Sequence, residues 1–431
     1  MEKRDFALDL VDFIYESPTS FHAVFEMEKV LKENGFKELR ETDSWKLQID
    51  GKYYIKKNHS ALVAFKINSE KIEDEGFKIV ASHTDAPGIK IKPSPEMKEA
   101  NYLKLNCEIY GGPILNTWLD RPLSLAGRVI FKTDDPMDPS EELVNIRRPI
   151  MLIPNLAIHM NRKINEGIEL NKQKDMLPIM GILEENSDLK NLLKEIIVEE
   201  IIGDKDDILD FELFLYEYDK GRLVGINEEF ISAGKLDNLA MVHSSLYGFL
   251  EAEKGSGISV LAAFDNEEVG SMTKQGADSP FLANVLERIS ISIKKKREDY
   301  LRAIGNSFII SADQAHGVHP NSPEKTDPTN KPYLNKGPVI KISANQSYTS
   351  DAKSTAVFQA ICEKASVPYQ KFVNRSDERG GSTIGPISSS HLPINSVDVG
   401  NPILGMHSIR ETGGVNDHYD MKEAIKVFYS L

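Results

Sequence analysis

Cysteine is almost absent from this chain of 431 residues, which contains only Cys107 and Cys362. Two cysteines so far apart exclude a disulfide scaffold and a metal cage built from thiolates. Basic residues are also in the minority, since 52 Lys and Arg face 66 Asp and Glu and give a formal net charge of −14. A nucleic-acid partner needs a basic surface, so this charge balance argues against one.

Long apolar runs are also missing. No stretch approaches the ~20 apolar residues that cross a bilayer, so we expect no membrane partner. The N-terminal segment has acidic residues inside its apolar stretch and no small-residue cleavage site after it, unlike a signal peptide. Hydrophobic residues make up 40% of the chain and charged residues 27%, which is typical of a globular protein. We expect a soluble, cytoplasmic protein.

The order of predicted helices and strands indicates two domains. Runs rich in β-forming residues predict strands at 61–65 and 77–81. Between about 93 and 233, short β-like runs alternate with charged, turn-rich segments. Strands and helices alternate after residue 234, which is typical of a parallel α/β sheet. We therefore predict an α/β domain formed by 1–92 and 234–431, with a β-rich domain inserted at 93–233.

Histidine, aspartate and glutamate cluster where predicted strands end or helices begin. Five segments carry these residues: 82–88, 235–238, 265–271, 311–316 and 405–411. An open α/β sheet places its ligand crevice at the carboxyl ends of its strands. Each segment alone is also typical of an ordinary turn or helix start. Together they offer nitrogen and oxygen ligands that suit two Zn²⁺ ions, with Mn²⁺ or Co²⁺ as alternatives.

Two adjacent glutamates, Glu267 and Glu268, follow the apolar run 258–264. Carboxylates at the end of a buried strand repel each other unless a cation lies between them. A metal ion would supply that charge, with one carboxylate as ligand and the other as general base. A solvated surface pair is the alternative. His83 and Asp85 form a similar unit, in which one ring nitrogen binds a metal and a carboxylate holds the other.

Eight segments carry a resemblance to a known family, in the family's order: SHTDAPG, WLDRPLSLAGRV, KLDN, FDNEEVGS, SADQAHGVHP, KGPVIK, STIGPI and MHSIRE. They resemble the aspartyl aminopeptidase family of dinuclear zinc exopeptidases, and the resemblance covers nearly the whole chain. It implies a zinc-exopeptidase-like α/β/α catalytic domain with an inserted β-rich dimerisation domain. It also implies a homo-oligomer, a tetrahedral dodecamer built from dimers.

The resemblance assigns two zinc ions to five residues. His83, Asp237 and Asp313 would hold one zinc ion. The other zinc ion would be held by Asp237, Glu268 and His407, with Asp237 bridging the two metals.

The resemblance also implies roles beyond metal binding. Glu267 would be the general base, and Asp85 would orient His83. His159 would reach an active site in its own or a neighbouring subunit; a third metal-ligating histidine and a solvent-facing loop residue are alternatives. Lys341 is the candidate for a pocket that receives an acidic side chain, and an edge-strand lysine that protects the sheet is its alternative.

These expectations describe a metal-dependent aminopeptidase. The free α-amine of a peptide would bind near the second zinc, so only N-terminal residues, chiefly Asp and Glu, would be removed. One alternative is a dinuclear zinc deacylase or carboxypeptidase, which would not turn over anilides with a free amine. Another is a non-catalytic shell that binds peptides, which would have no need of Glu267.

Overall fold

The computed structural model describes residues 2–184, 189, 191–378 and 380–431. The chain divides into two compact units. The first unit contains Met1–Asp85, Gly221–Met406 and Glu411–Leu431. The second unit contains Ala86–Lys220 and His407–Arg410.

These bounds differ from the range 93–233 predicted for the inserted domain. The strand Gly88–Glu99 pairs only with strands of the second unit among the described residues, so that unit begins earlier than the turn-rich texture indicated. The strands Arg222–Val224 and Phe230–Ala233 pair within the first unit, so the second unit also ends earlier.

The helices of the described residues are α1 (Lys3–Glu16), α2 (Ser20–Glu33), α3 (Ile72–Glu75), α4 (Leu192–Val198), α5 (Leu236–Glu251), α6 (Phe281–Ser292), α7 (Arg297–Gly305), α8 (Ala352–Ala365), α9 (Ile384–His391) and α10 (Val415–Ser430). Side-chain caps define two of the starts. The Thr19 hydroxyl accepts from the His22 amide before α2, and Asp351 accepts from the Ser354 amide before α8.

The strands are β1 (Lys37–Leu39), β2 (Lys52–Lys57), β3 (Ala61–Ile67), β4 (Phe77–His83), β5 (Gly88–Glu99), β6 (Tyr102–Tyr110), β7 (Leu123–Phe131), β8 (Ser140–Asn145), β9 (Ile179–Ile182), β10 (Ile208–Glu217), β11 (Arg222–Val224), β12 (Phe230–Ala233), β13 (Ile258–Phe264), β14 (Phe308–Ala312), β15 (Ala315–His316), β16 (Val339–Ile342), β17 (Gln370–Val373), β18 (Asn395–Gly400), β19 (Pro402–Leu404) and β20 (Glu411–Gly414).

A nine-stranded sheet forms the centre of the first unit, in the order β1-β2-β3-β13-β4-β14-β18-β16-β17. The four strands β13, β4, β14 and β18 run parallel. Every residue of β13 is buried, as expected for a parallel strand covered on both faces. Phe264 is the register partner of His83, so the carboxyl ends of β13 and β4 lie side by side.

Helices cover both faces of this sheet. Val80 and Leu261 belong to one apolar core with residues of α1, α2, α5, α8 and α10. Their neighbours Ile79 and Val260 belong to a second core with residues of α6 and α7. This alternation gives a three-layer α/β/α architecture, and the predicted α/β fold class is confirmed. A smaller sheet in the same unit has the order β11-β12-β20-β19-β15.

The second unit is built on a six-stranded antiparallel sheet in the order β8-β7-β10-β5-β6-β9. Its apolar core includes Ile89, Leu105, Trp118, Leu125 and Leu213, all at most 4% exposed. The β-rich texture predicted for this part of the chain is therefore present. In the described portion of the chain, every helix is too short or too polar to cross a lipid bilayer.

Candidate active site

Four segments of the first unit meet at the carboxyl edge of the nine-stranded sheet. His83 is the last residue of β4, and Asp313 directly follows β14. Glu267 and Glu268 lie in a single turn after β13, and Asp237 lies at the start of α5. The sequence placed these residues at strand ends or a helix start, and the fold brings the four segments to one place.

The donor atoms are spaced as a zinc site requires. His83 Nε2 lies 3.6 Å from Asp313 Oδ1 and 3.7 Å from Asp237 Oδ1. Ligands ~2.0–2.2 Å from a tetrahedral zinc lie roughly 3.3–3.6 Å from one another. These three residues are at most 8% exposed, and buried carboxylates are stabilised by a cation. His83, Asp237 and Asp313 therefore fit a zinc ion.

Glu267 and Glu268 lie beside these residues. Glu267 Oε2 is 4.0 Å from His83 Nε2. One donor atom each from His83, Glu267 and Glu268 lie within 4.8 Å of one another, so these residues offer a further metal-binding group. Both glutamates are partly exposed, which leaves them accessible to water and to a substrate.

Asp85 connects the imidazole to the glutamate turn. Its Oδ1 lies 3.3 Å from His83 Nδ1 and accepts from the Glu267 amide at 3.1 Å. Its Oδ2 accepts from the Glu268 amide, also at 3.1 Å. The Asp85 backbone carbonyl oxygen lies closer to Nδ1, at 3.1 Å. These two oxygens keep a proton on Nδ1 and leave Nε2 free for a metal. Asp85 thus fixes the imidazole and the backbone of both glutamates with a single buried residue.

Negative charge accumulates around His83. Burial raises the pKa of Glu267 to about 7; the nearby charge of His83 opposes this rise, and the carboxylates of Asp313, Asp85 and Asp237 add to it. Burial disfavours a charged imidazole, yet bonds to Asp313 and Asp85 and the charge of Glu267 raise the pKa of His83 well above its ordinary value. A bound cation would relieve this repulsion.

Lys341 contacts the metal-binding group directly. It lies in β16, is 2% exposed, and its Nζ is 3.3 Å from Asp313 Oδ2 and 3.0 Å from the Gln314 carbonyl oxygen. Burial raises the pKa of Asp313, but the charges of Lys341 and His83 outweigh burial and hold that pKa below its ordinary value. Because β16 lies between β18 and β17, the alternative of an edge-strand lysine is wrong.

Two predicted residues belong to the second unit. His407 has a positive φ of 69°, and its Nδ1 lies 3.0 Å from the Gly112 carbonyl oxygen of the same unit. His159 is exposed in a turn closed by the Met160 amide and the Ala157 carbonyl. Their assignments, to the second zinc and to a subunit's active site, stay predictions.

Three buried polar residues beside the ligands have no role that the sequence predicted. Glu411, which is 2% exposed, accepts from the Asp237 amide at 3.0 Å. Asn238 donates to the Ala312 carbonyl, and Gln314 donates to the Leu236 carbonyl. The bonds of Asn238 and Gln314 tie the start of α5 to the end of β14, and the bond of Glu411 ties it to β20. The sequence signal for these three residues is that each lies within one of the five segments rich in His, Asp and Glu.

An imidazole and several carboxylates at this edge of an α/β sheet, with a glutamate beside them, are typical of a metallohydrolase. The sequence model described as "Aminopeptidase I zinc metalloprotease (M18)" matches residues 13–429. The chain belongs to this M18 peptidase family, so the resemblance found in the sequence is confirmed. It is a zinc-dependent aminopeptidase, a hydrolase of peptide bonds.

Relatives and solved structures agree with the assignment to the M18 peptidase family. "Probable M18 family aminopeptidase 2" of Clostridium novyi is 58% identical over 430 residues, covering 100% of this chain and 99% of the relative. The Clostridium acetobutylicum protein with the same description is 54% identical over 428 residues, covering 99% of each. The S. cerevesiae mApe1 dodecamer is 27% identical with a TM-score of 0.87, covering 99% of this chain and 96% of that chain. These matches give no support to a deacylase, a carboxypeptidase or a non-catalytic shell.

Removing the metal should lower both activity and thermal stability. A ligand that binds only the folded state stabilises it by about 4 kcal/mol when its concentration is 1,000 times Kd. We expect a chelator to abolish peptidase activity and lower the Tm, and added zinc to restore both. Metal analysis and thermal unfolding of the same samples measure the effect.

A pair of histidine variants provides the control. His83→Ala should lose the zinc-dependent rise in Tm. His391→Ala removes an exposed histidine whose Nε2 is 2.6 Å from Asp278, and it should keep the full rise. An unchanged Tm after complete removal of zinc from the wild type would contradict the expectation.

Proposed function

We propose that this enzyme removes acidic N-terminal residues, Asp and Glu, from peptides with a free N-terminus, using two zinc ions. His83, Asp237 and Asp313 would hold one ion, and Asp237, Glu268 and His407 the other. The observation that carries the specificity is the buried Lys341 ammonium, 3.3 Å from Asp313. A positive charge so close to a metal-binding group is suited to a substrate side chain of negative charge.

Glu267 is the proposed general base. Bound zinc supplies Lewis-acid chemistry, acidifying water and stabilising negative charge on the substrate carbonyl. The Glu267 carboxylate accepts the proton of the attacking water and returns it to the leaving amine. Asp85 holds the Glu267 amide, and a nearby cation lowers the pKa of Glu267 and favours its basic form.

Lys341 would recognise the side chain of the N-terminal residue. An ammonium group has three N–H donors, and two oxygen acceptors are described within hydrogen-bond distance, on Asp313 and Gln314. We propose that the third donor binds the carboxylate of an N-terminal Asp or Glu. A charge-assisted hydrogen bond of this kind favours acidic over neutral side chains.

Lys341→Met should reduce discrimination between acidic and neutral N-terminal residues. We expect kcat/KM for aspartyl and glutamyl anilides to fall by ~10–100-fold, the value of a hydrogen bond to a charged group, with neutral anilides changing less. Zinc analysis must accompany the kinetics, because Lys341 also contacts Asp313.

Lys422→Met is the matched control. Lys422 lies on α10 and is also 2% exposed, and its Nζ is 2.9 Å from a carboxylate oxygen of Glu251 on α5. Its loss should lower stability without changing discrimination. A wild-type enzyme that prefers Leu or Met over Asp and Glu would refute the proposed specificity.

We also propose a cytoplasmic homo-oligomer, a dodecamer built from dimers through the second unit. The dodecamer of the 27% identical S. cerevesiae protein supports this proposal. So do large apolar side chains exposed on the second unit, at Met137, Leu156, Ile158, Met160 and Ile182. The low cysteine content supports the proposed cytoplasmic location. Native mass spectrometry of the purified chain tests the assembly, and a monomer at micromolar concentration would refute it.

A further inference from the structure

Asp398 is a fully buried carboxylate that the catalytic scheme does not use. It lies in the middle of β18 and is 0% exposed. Its Cα is the register partner of Lys341 in β16 on one side and of Ser311 in β14 on the other. This buried acid therefore lies beside the strand that carries the proposed specificity residue.

The Asp398 carboxylate joins two segments that are distant in sequence. Its Oδ2 accepts from the Thr349 amide at 2.6 Å and from the Thr349 hydroxyl at 2.9 Å. Its Oδ1 accepts from the Thr383 hydroxyl at 2.7 Å. Three donors on one buried carboxylate offset the cost of its burial and fix both segments on β18.

The packing around this carboxylate is tight. A Cβ added at Gly385, near the start of α9, would lie 2.5 Å from Asp398 Oδ2. Only glycine lets the helix backbone approach the acid so closely. On the backbone side, the Asp398 amide donates to the Ser350 hydroxyl at 2.9 Å. The two segments thus have little room to move relative to β18.

One of these segments reaches Lys341. Thr349 follows Tyr348, which is 4% exposed, and the Tyr348 ring centroid is 5.3 Å from Lys341 Nζ. Tyr348 also packs on Phe372 of β17, with ring centroids 6.4 Å apart. Asp398 therefore anchors the residue next to the ring that lies against the ammonium.

We propose that Asp398 is a specificity-determining positioning residue. By holding Thr349 and Thr383, it keeps Tyr348 and Lys341 in the arrangement that receives the N-terminal side chain of the substrate. The inference rests on the proposed role of Lys341, and Asp398 itself contacts neither the metal-binding residues nor the substrate in this scheme.

Asp398→Asn tests the proposal, because asparagine keeps the shape and loses the charge. We expect normal zinc content and a KM for aspartyl and glutamyl anilides raised about tenfold, the lower value for a hydrogen bond to a charged group. The kcat should change less than about threefold, and the KM of neutral anilides should stay near the wild-type value. Hydrogen exchange should accelerate at the Thr349 amide.

Two further variants separate positioning from stability. Glu28→Gln removes another buried carboxylate, which lies on α2 and binds Tyr54 and Lys56 of β2. This variant should leave discrimination unchanged. Thr383→Val removes one bond to Asp398 and should lower discrimination by a smaller factor. Combined with Asp398→Asn, it should add almost nothing, since both act through one contact. If Asp398→Asn does not fold, the loss of discrimination in Thr383→Val tests the inference instead.

Distinct outcomes overturn the inference and the proposed function. Unchanged discrimination in folded, zinc-loaded Asp398→Asn refutes the inference and leaves the proposed function intact. An equal loss on acidic and neutral anilides shows a merely structural role and also refutes it. A wild type without acidic preference refutes the proposed specificity, and the inference falls with it because it rests on the role of Lys341.

Discussion

Glu267→Gln should retain bound zinc and lose ~10²–10⁴-fold or more of its kcat. Glutamine has the shape of glutamate and cannot accept the proton of the attacking water. The donor atoms of His83, Asp237 and Asp313 are untouched, and the amide of residue 267 still reaches Asp85. The defect should therefore be in turnover rather than in folding or metal binding.

Metal analysis and steady-state kinetics on an aminoacyl anilide measure this prediction. The acid limb of the wild-type kcat/KM profile, where activity rises with pH as the base deprotonates, should disappear from the residual activity of the variant. Burial raises the pKa of Glu267 to about 7 without a cation. Bound zinc lowers it, so the wild-type limb should lie below pH ~7.

Glu268→Gln is the matched control, since it changes the adjacent residue of the same turn. It should lose zinc and thermal stability together with activity, because Glu268 is the proposed ligand. Metal-free Glu267→Gln and fully loaded Glu268→Gln would mean that the two roles are reversed.

Two central strands of the fold could be predicted because burial on both faces makes each one a mostly apolar run, at 77–81 and 258–264. Lys78 and Ser259 are the polar residues in these runs. The five-stranded sheet could not be predicted in this way. Its strands have two to four residues, and β20 contains two glycines, so their pairing depends on the tertiary fold. Helix α9 could not be predicted either, because it contains Gly385 and Pro386, both poor helix formers.

The site could be predicted as far as it follows from strand ends. His83, Glu267 and Asp313 converge because β4, β13 and β14 are neighbouring parallel strands, and each residue ends or follows one. The contact of Lys341 with Asp313 could not be predicted, since it depends on β16 joining the sheet beside β18. Sequence order carries no record of which side chain meets which across a sheet.

His159 should complete the active site of a neighbouring subunit. It lies in an exposed turn of the second unit, where Ile158 is 51% and Met160 69% exposed. Exposed apolar side chains around a polar one are typical of a surface that a partner covers. His159→Phe should therefore leave the chain folded and zinc-loaded while lowering peptide turnover.

Mixing two variants of low activity gives the largest expected gain of activity. Co-refolding His159→Phe with Glu267→Gln should create sites that take the base from one subunit and the histidine from another. In a random equal mixture, roughly a quarter of the sites should be intact, far above either parent alone. Activity per subunit, compared with the two parents, measures this gain.

The control mixture combines Glu267→Gln with Glu268→Gln, whose defects lie in one turn of the same unit. Each of its sites keeps one defect, so activity should stay at the level of the parents. Native mass spectrometry must show hybrid oligomers in both mixtures. If hybrids of His159→Phe and Glu267→Gln form without any gain, His159 acts within its own subunit or has no part in turnover, because a shared site would have been restored.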